Sequence, residues 1–119
     1  NELQNLNFQN YIYIDNSALG QITNSQPVRY SLSQNYPNPF NPITSIDFFV
    51  PVNIPYELKI FNIQGKFIKI LDEGLGVNQN ISINWNATDH MGKRVPSGLY
   101  VAKLGVNNRF KNIKMLFLK

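Results

Sequence analysis

No cysteine occurs in the 119 residues. Disulfide scaffolds, thiolate zinc sites, iron–sulfur clusters and cysteine nucleophiles are thereby excluded. There is one histidine, His90, so a single chain cannot build a multi-histidine metal site. Charged side chains make up only 15% of the sequence, against about a quarter in an average soluble domain. No apolar run approaches the ~20 residues of a membrane-spanning helix. The first residue is Asn1, and no basic stretch followed by an apolar one comes after it. These residues therefore hold no signal peptide, and the expectation is a processed chain or the tail of a longer precursor.

What is present points to a β-rich module of the extracellular kind. Hydrophobic residues reach 43%, enough for a core, and asparagine, with 18 residues, takes the place of charge on the surface. Seven prolines and seven glycines interrupt the chain at short intervals. The net charge of +4 is unevenly spread. Residues 1–89 hold four basic and seven acidic side chains, a balance of −3, whereas 90–119 hold seven basic and none acidic. A segment of this kind either meets an anionic partner or forms the solvated face of edge strands, where lysines oppose aggregation.

Apolar residues alternate with a period of two along most of the chain, and no 11-residue window has a helical period. Residues 6–14 contain Tyr11-Ile12-Tyr13-Ile14, a candidate strand, and 15–26 are polar and turn-rich like a linker. A different texture starts at Val28, so the expected division is 1–27, a linker or the end of an upstream cargo domain, and 28–119, the folded unit. Short strands are expected at 28–32, 46–50, 56–60, 67–71, 81–85, 99–104 and 110–118. Three prolines within Asn35-Tyr36-Pro37-Asn38-Pro39-Phe40-Asn41-Pro42 forbid helix and central strand alike. That stretch is expected to be a stiff extended loop anchored by Tyr36 and Phe40. The turn Asn62-Ile63-Gln64-Gly65 reads as a hairpin with a positive φ at Gly65. Regularly spaced short strands with turn signals between them mean a β-sandwich. Its expected core is Ile46, Phe48, Val50, Leu58, Ile60, Phe67, Leu71, Ile81, Ile83, Trp85, Tyr100, Ala102, Leu104, Ile113 and Met115.

The chemistry-bearing residues do not assemble into a catalytic pattern. His90 lies beside Asp89, but it sits in a turn region, and adjacency in sequence does not make a triad. Asp89 and Asn86 lack the spacing and charge of a calcium loop. The basic residues of the last segment alternate with Ile113, Met115 and Leu118 as a strand requires, and no recognition helix or RNA-binding motif accompanies them. The expectation is therefore no enzyme, no metal, no cofactor and no nucleic acid.

One resemblance covers residues 28–119. Leu32-Ser33-Gln34 followed by Asn35 to Pro42 resembles the opening of the type A C-terminal sorting domain of the type IX secretion system, which is similar to the Ig-like domain of the flagellar hook-capping protein. The order of motifs continues through Thr44, Ile46, Phe48 and Pro51, then Leu58 to Asn62 with Gly65. It goes on with Trp85, then Gly92-Lys93-Arg94-Val95-Pro96-Ser97-Gly98-Leu99-Tyr100, and closes on Lys114-Met115 and Lys119. Asn86 stands where the family has Asp, Ala87 where it has Gly, and Gly74-Leu75-Gly76 is atypical. The resemblance implies an all-β, Ig-like antiparallel sandwich of about seven strands, preceded by a linker or strand. It implies a non-catalytic domain that directs a bacterial cargo across the outer membrane to the cell surface or medium. Its implied partners are an outer-membrane shuttle and a sortase. The implied recognition residues are those of the closing strand, Lys111, Lys114, Met115, Leu116, Leu118 and Lys119, with the lysines supplying charge and Ile113, Met115 and Leu118 fixing the strand. The alternative is a structural subunit of a surface assembly that keeps the domain, with residues 6–14 pairing to a neighbouring subunit.

Overall fold

The computed structural model describes residues 28–119. The candidate strand at 6–14 and the linker at 15–26 lie outside the described residues. Seven strands follow in order: β1 (Ser31–Leu32), β2 (Thr44–Phe49), β3 (Pro55–Asn62), β4 (Phe67–Leu75), β5 (Asn80–Trp85), β6 (Gly98–Val106) and β7 (Arg109–Phe117). They form two antiparallel sheets with orders β1-β2-β5 and β4-β3-β6-β7. This is an Ig-like β-sandwich in which the fourth strand joins the sheet of the third, sixth and seventh.

Alternation sends one side of each strand into the space between the sheets. Ile46, Phe48 and Val50 of the first sheet meet Leu58, Ile60, Tyr100, Ala102, Leu104 and Met115 of the second, all buried. Fully burying one such side chain stabilises by about 1.5–3 kcal/mol before chain entropy is subtracted. The Tyr100 hydroxyl donates to the Pro96 carbonyl at 2.5 Å, the hydrogen bond of a tyrosine corner. Burial pushes its phenol pKa up. Tyr56 packs edge-on to Phe48 with centroids 5.2 Å apart and donates to Asp72 at 2.7 Å. Its pKa is pushed up to about 12, by burial first and the Asp72 bond second.

The expected core needs correction at five positions. Phe67 is exposed, while its neighbour Ile68 is buried. Phe67, Ile68, Ile70 and Leu71 are all apolar, so the sequence does not reveal which parity faces inward. A register shift between Leu58 and Lys59 then places Leu71 opposite no partner, as a β-bulge does. Leu71 is half-buried for that reason. Ile81, Ile83 and Ile113 point inward but are half-buried, because β5 and β7 are edge strands. Buried residues absent from the expected list are Phe40, Ile68, Ala87, Val95, Val106 and Phe117.

Two positions that depart from the resemblance, Ala87 and Gly76, have distinct backbone requirements. Ala87 has φ +61° and is fully buried, a left-handed conformation that costs an L-residue roughly 1–2 kcal/mol. A glycine at this position would avoid that cost. Gly76 has a different requirement, namely space. A Cβ there would lie 2.0 Å from the Pro51 carbonyl oxygen and 2.5 Å from that of Val50. The close approach lets Gly76 N–H donate to Ile54 O at 2.8 Å and Gly76 O accept from Asn53 N–H at 2.9 Å. Gly76→Ala is expected to lose at least the ~1–3 kcal/mol typical of overpacking, because backbone has to move. A thermal melt checks this, and an unchanged midpoint would contradict it.

Candidate recognition site

The site is built on β7, an edge strand of the four-stranded sheet. Edge strands expose a row of backbone donors and acceptors. Here another part of the chain covers that row along the last residues of the strand. Phe40 N–H donates to Leu116 O at 3.0 Å, and Leu118 N–H donates to Phe40 O at 3.1 Å. The Asn38 side-chain oxygen accepts from Leu116 N–H at 2.9 Å. The Gln34 amide donates to Lys114 O at 2.7 Å. Residues 34–40 thus form a strap along the outer edge of β7.

The strap is held from beneath. Asn35 and Thr44 are the buried polar residues of the described fold. The Asn35 amide donates to Thr44 Oγ1 at 2.9 Å and to Pro37 O at 3.2 Å. Thr44 Oγ1 donates to Pro37 O at 2.8 Å. Buried polar groups need such partners, and these satisfy both. Phe40 plugs the open end of the sandwich, with ring centroids 5.7 Å from Trp85 and 5.2 Å from Phe117. Trp85 meets Tyr100 edge-on at 5.3 Å and donates its Nε1–H to Thr88 O at 2.9 Å. The expectation that Phe40 anchors the loop agrees with this arrangement. Tyr36 is corrected: its backbone pairs with Ser45 on both sides, but its ring stands 80% exposed. Pro37, Asn38, Pro39 and Asn41 are exposed as well.

Three motif segments that are distant in sequence therefore converge. Gly98, Leu99 and Tyr100 pair with Phe117, Leu116 and Met115. Ser97 Oγ accepts from Lys119 N–H at 3.0 Å. Gly98 has φ +155° with open space around a Cβ, so its role is conformational. Gly65, at φ +89°, closes the β3–β4 hairpin and does not reach β7. Gly92 belongs to the turn before β6, where Asp89 Oδ1 accepts from Met91 N–H and Lys93 N–H at 2.9 and 3.0 Å. Those bonds, the Lys93 one foremost, hold the Asp89 carboxyl below its usual pKa. His90 is exposed in that same turn.

The expected recognition residues divide between two faces. Met115 is fully buried and Leu116 half-buried. Leu118, expected to fix the strand, is 47% exposed, and the buried Phe117 does that work. Lys111 points the opposite way from Lys114. Its amine donates to Tyr30 O at 2.8 Å and lies 4.8 Å from the Tyr30 ring centre. Lys111 and Lys114 therefore do not make one cationic patch. Exposed together beside the strap are Lys114, Leu118 and Lys119. Gln34, Asn35 and Thr44 stood in the sequence only as members of motif strings, with no role at this site, and the only signal for Phe117 was its place in the β7 alternation.

Comparison with known proteins decides the family. The family model described as the secretion system C-terminal sorting domain matches residues 34–119. The chain belongs to this family. A sorting domain is the signal by which the type IX secretion system exports its cargo, so a chain that carries one is destined for the cell surface or medium. The family's domain is non-catalytic in general, and it works with components of that system. No curated protein matches the chain. Among solved structures, dimeric latent PorU from Porphyromonas gingivalis is similar at 18% identity and a TM-score of 0.64, over 82% of this chain and 10% of that one. This likeness shows the fold. PorZ, an essential surface component of the type IX secretion system of the same organism, is similar at 23% identity and a TM-score of 0.48, over 76% of this chain and 11% of that one. The chain thus spans about a tenth of the length of either structure. Among the described residues no helix is long and apolar enough to cross a membrane.

Proposed function

We propose that residues 28–119 are the unit read by an outer-membrane shuttle and a sortase, and that the clasped end of β7 is the part presented to them. The observation that carries this reading is the strap. Its hydrogen bonds occupy the outer edge of residues 114–118, so a partner reads this region through side chains and not by adding a strand to the backbone. Lys114, Leu118 and Lys119 are the exposed side chains there. Lys111, Met115 and Leu116 shape and hold the strand. The domain supplies an address and no chemistry of its own; any catalysis belongs to an upstream cargo.

A triple variant, Lys114→Gln, Leu118→Ser and Lys119→Gln, tests the reading in a reporter carrying the chain. All three side chains are exposed, so the expected change in stability is within about 0.5 kcal/mol each. Export by a type IX-competent host is expected to fall at least tenfold at an unchanged thermal midpoint. Normal export would place the recognition surface elsewhere.

A further inference from the structure

The outer face of the four-stranded sheet breaks a local rule. Lys59 of β3 stands directly opposite Lys103 of β6. Like charges in directly opposed positions destabilise a sheet, and such violations concentrate where function demands them. The repulsion is moderated within the face. Glu57 Oε1 lies 3.0 Å from the Lys59 amine, the one ion pair among the described residues. The Lys103 amine sits 4.4 Å from the Phe110 ring centre and 5.6 Å from that of Phe61. The Phe110 ring lies across Gly105, where an added Cβ would come within 3.0 Å of it. Glycine at that position therefore makes room for the aromatic wall that holds the amine.

On one side of this lysine pair Glu57 stands opposite Glu73, and on the other side the face is mainly apolar. The next row across the sheet is Phe67, Phe61, Val101 and Lys114. Phe67 and Phe110 are exposed, at 40% and 55%. Phe61, Val101, Lys103 and Asn112 line an open depression of about 240 Å³. An exposed sheet face that combines aromatic rings, aliphatic side chains and held ammonium groups offers apolar contact and cation charge together. Carboxylates flanked by apolar side chains complement it. A sugar polymer would leave Val101 and the aliphatic neighbours without apolar partners. A second copy docked face to face would bring the same lysines together.

We propose that this face docks an acidic, apolar-flanked protein surface of the export machinery, a second contact that adjoins the clasped end of β7 at Lys114 and is centred on Lys59 and Lys103. The proposal rests on the sorting reading above. In the reporter carrying the full chain, Lys59→Gln with Lys103→Gln is expected to reduce export at least tenfold with the thermal midpoint retained. Lys59→Arg with Lys103→Arg keeps the charge and is expected to export normally. A photo-crosslinking phenylalanine analogue at Asn112, exposed and paired with Lys103, is expected to join a protein whose cross-linked peptide contains Asp or Glu beside apolar residues. Export of the double Gln variant at the normal rate overturns the docking face alone. So does a glycan adduct, an adduct of two reporter chains, or a cross-link to residues 1–27 of the same chain. Wild-type reporter retained inside the envelope overturns the sorting reading, and the docking face with it.

Discussion

Trp85→Ala is expected to cost about 3–5 kcal/mol, the range for removing a large aromatic from a core. The indole is fully buried and touches the three things that close this end of the sandwich. Phe40 lies on one side at 5.7 Å and Tyr100 on the other at 5.3 Å, while Nε1 donates to Thr88 O. Removing it leaves a cavity beneath the strap and frees the turn that carries the left-handed Ala87. A domain of this size has a total stability of about 5–15 kcal/mol, so the loss is a large share of it. Wild-type fluorescence should be blue-shifted, because the only Trp is shielded from water. An emission maximum at the position of free tryptophan, or a variant that melts within a degree or two of the wild type, would contradict the packing described.

Deleting Leu116 to Lys119 is expected to unfold the domain and not merely to remove an address. Phe117 is fully buried and stacks 5.2 Å from Phe40, so losing its side chain alone costs about 3–5 kcal/mol. The deletion also removes both backbone partners of Phe40 and the Asn38 contact. The strap would then lie over an open end with its carbonyl and amide groups unpaired, and an unpaired buried polar group costs about 1–3 kcal/mol. Circular dichroism and a thermal melt of the truncated chain read this directly. A cooperative transition within a few degrees of the wild type would show that the end of β7 is dispensable for folding. Loss of export on truncation is thus expected from instability alone, which is why side-chain variants at Lys114, Leu118 and Lys119 are the cleaner probe of recognition.

Strand number and order of elements were legible because period-two alternation survives in β2, β3 and β5, where polar residues mark most of the outer face. The same signal fails in β4. There apolar residues occupy both faces, since the outer face of this sheet carries Phe67 and Ile70 in partial contact with water. Phe40 was legible as an anchor, because an aromatic residue between prolines has few other reasons to be there. Tyr36 fits the same logic and is nonetheless exposed, since backbone pairing with Ser45 already holds that part of the strap. The clasp itself was not legible. It depends on Gln34, Asn38 and Asn35 reaching partners about 80 residues away in the first two cases and nine in the third. Single asparagines and glutamines give no periodic signal of such contacts. Nor does alternation disclose that Lys59 and Lys103 face each other, because register across β3 and β6 is fixed by pairing in three dimensions.

The most direct measurement compares two reporters in a type IX-competent host, one followed by this chain and one without it. The account predicts that the fused reporter appears at the cell surface or in the medium while the bare reporter stays within the envelope. Equal retention of a folded fusion and the bare reporter would contradict the claim that this chain carries the sorting signal.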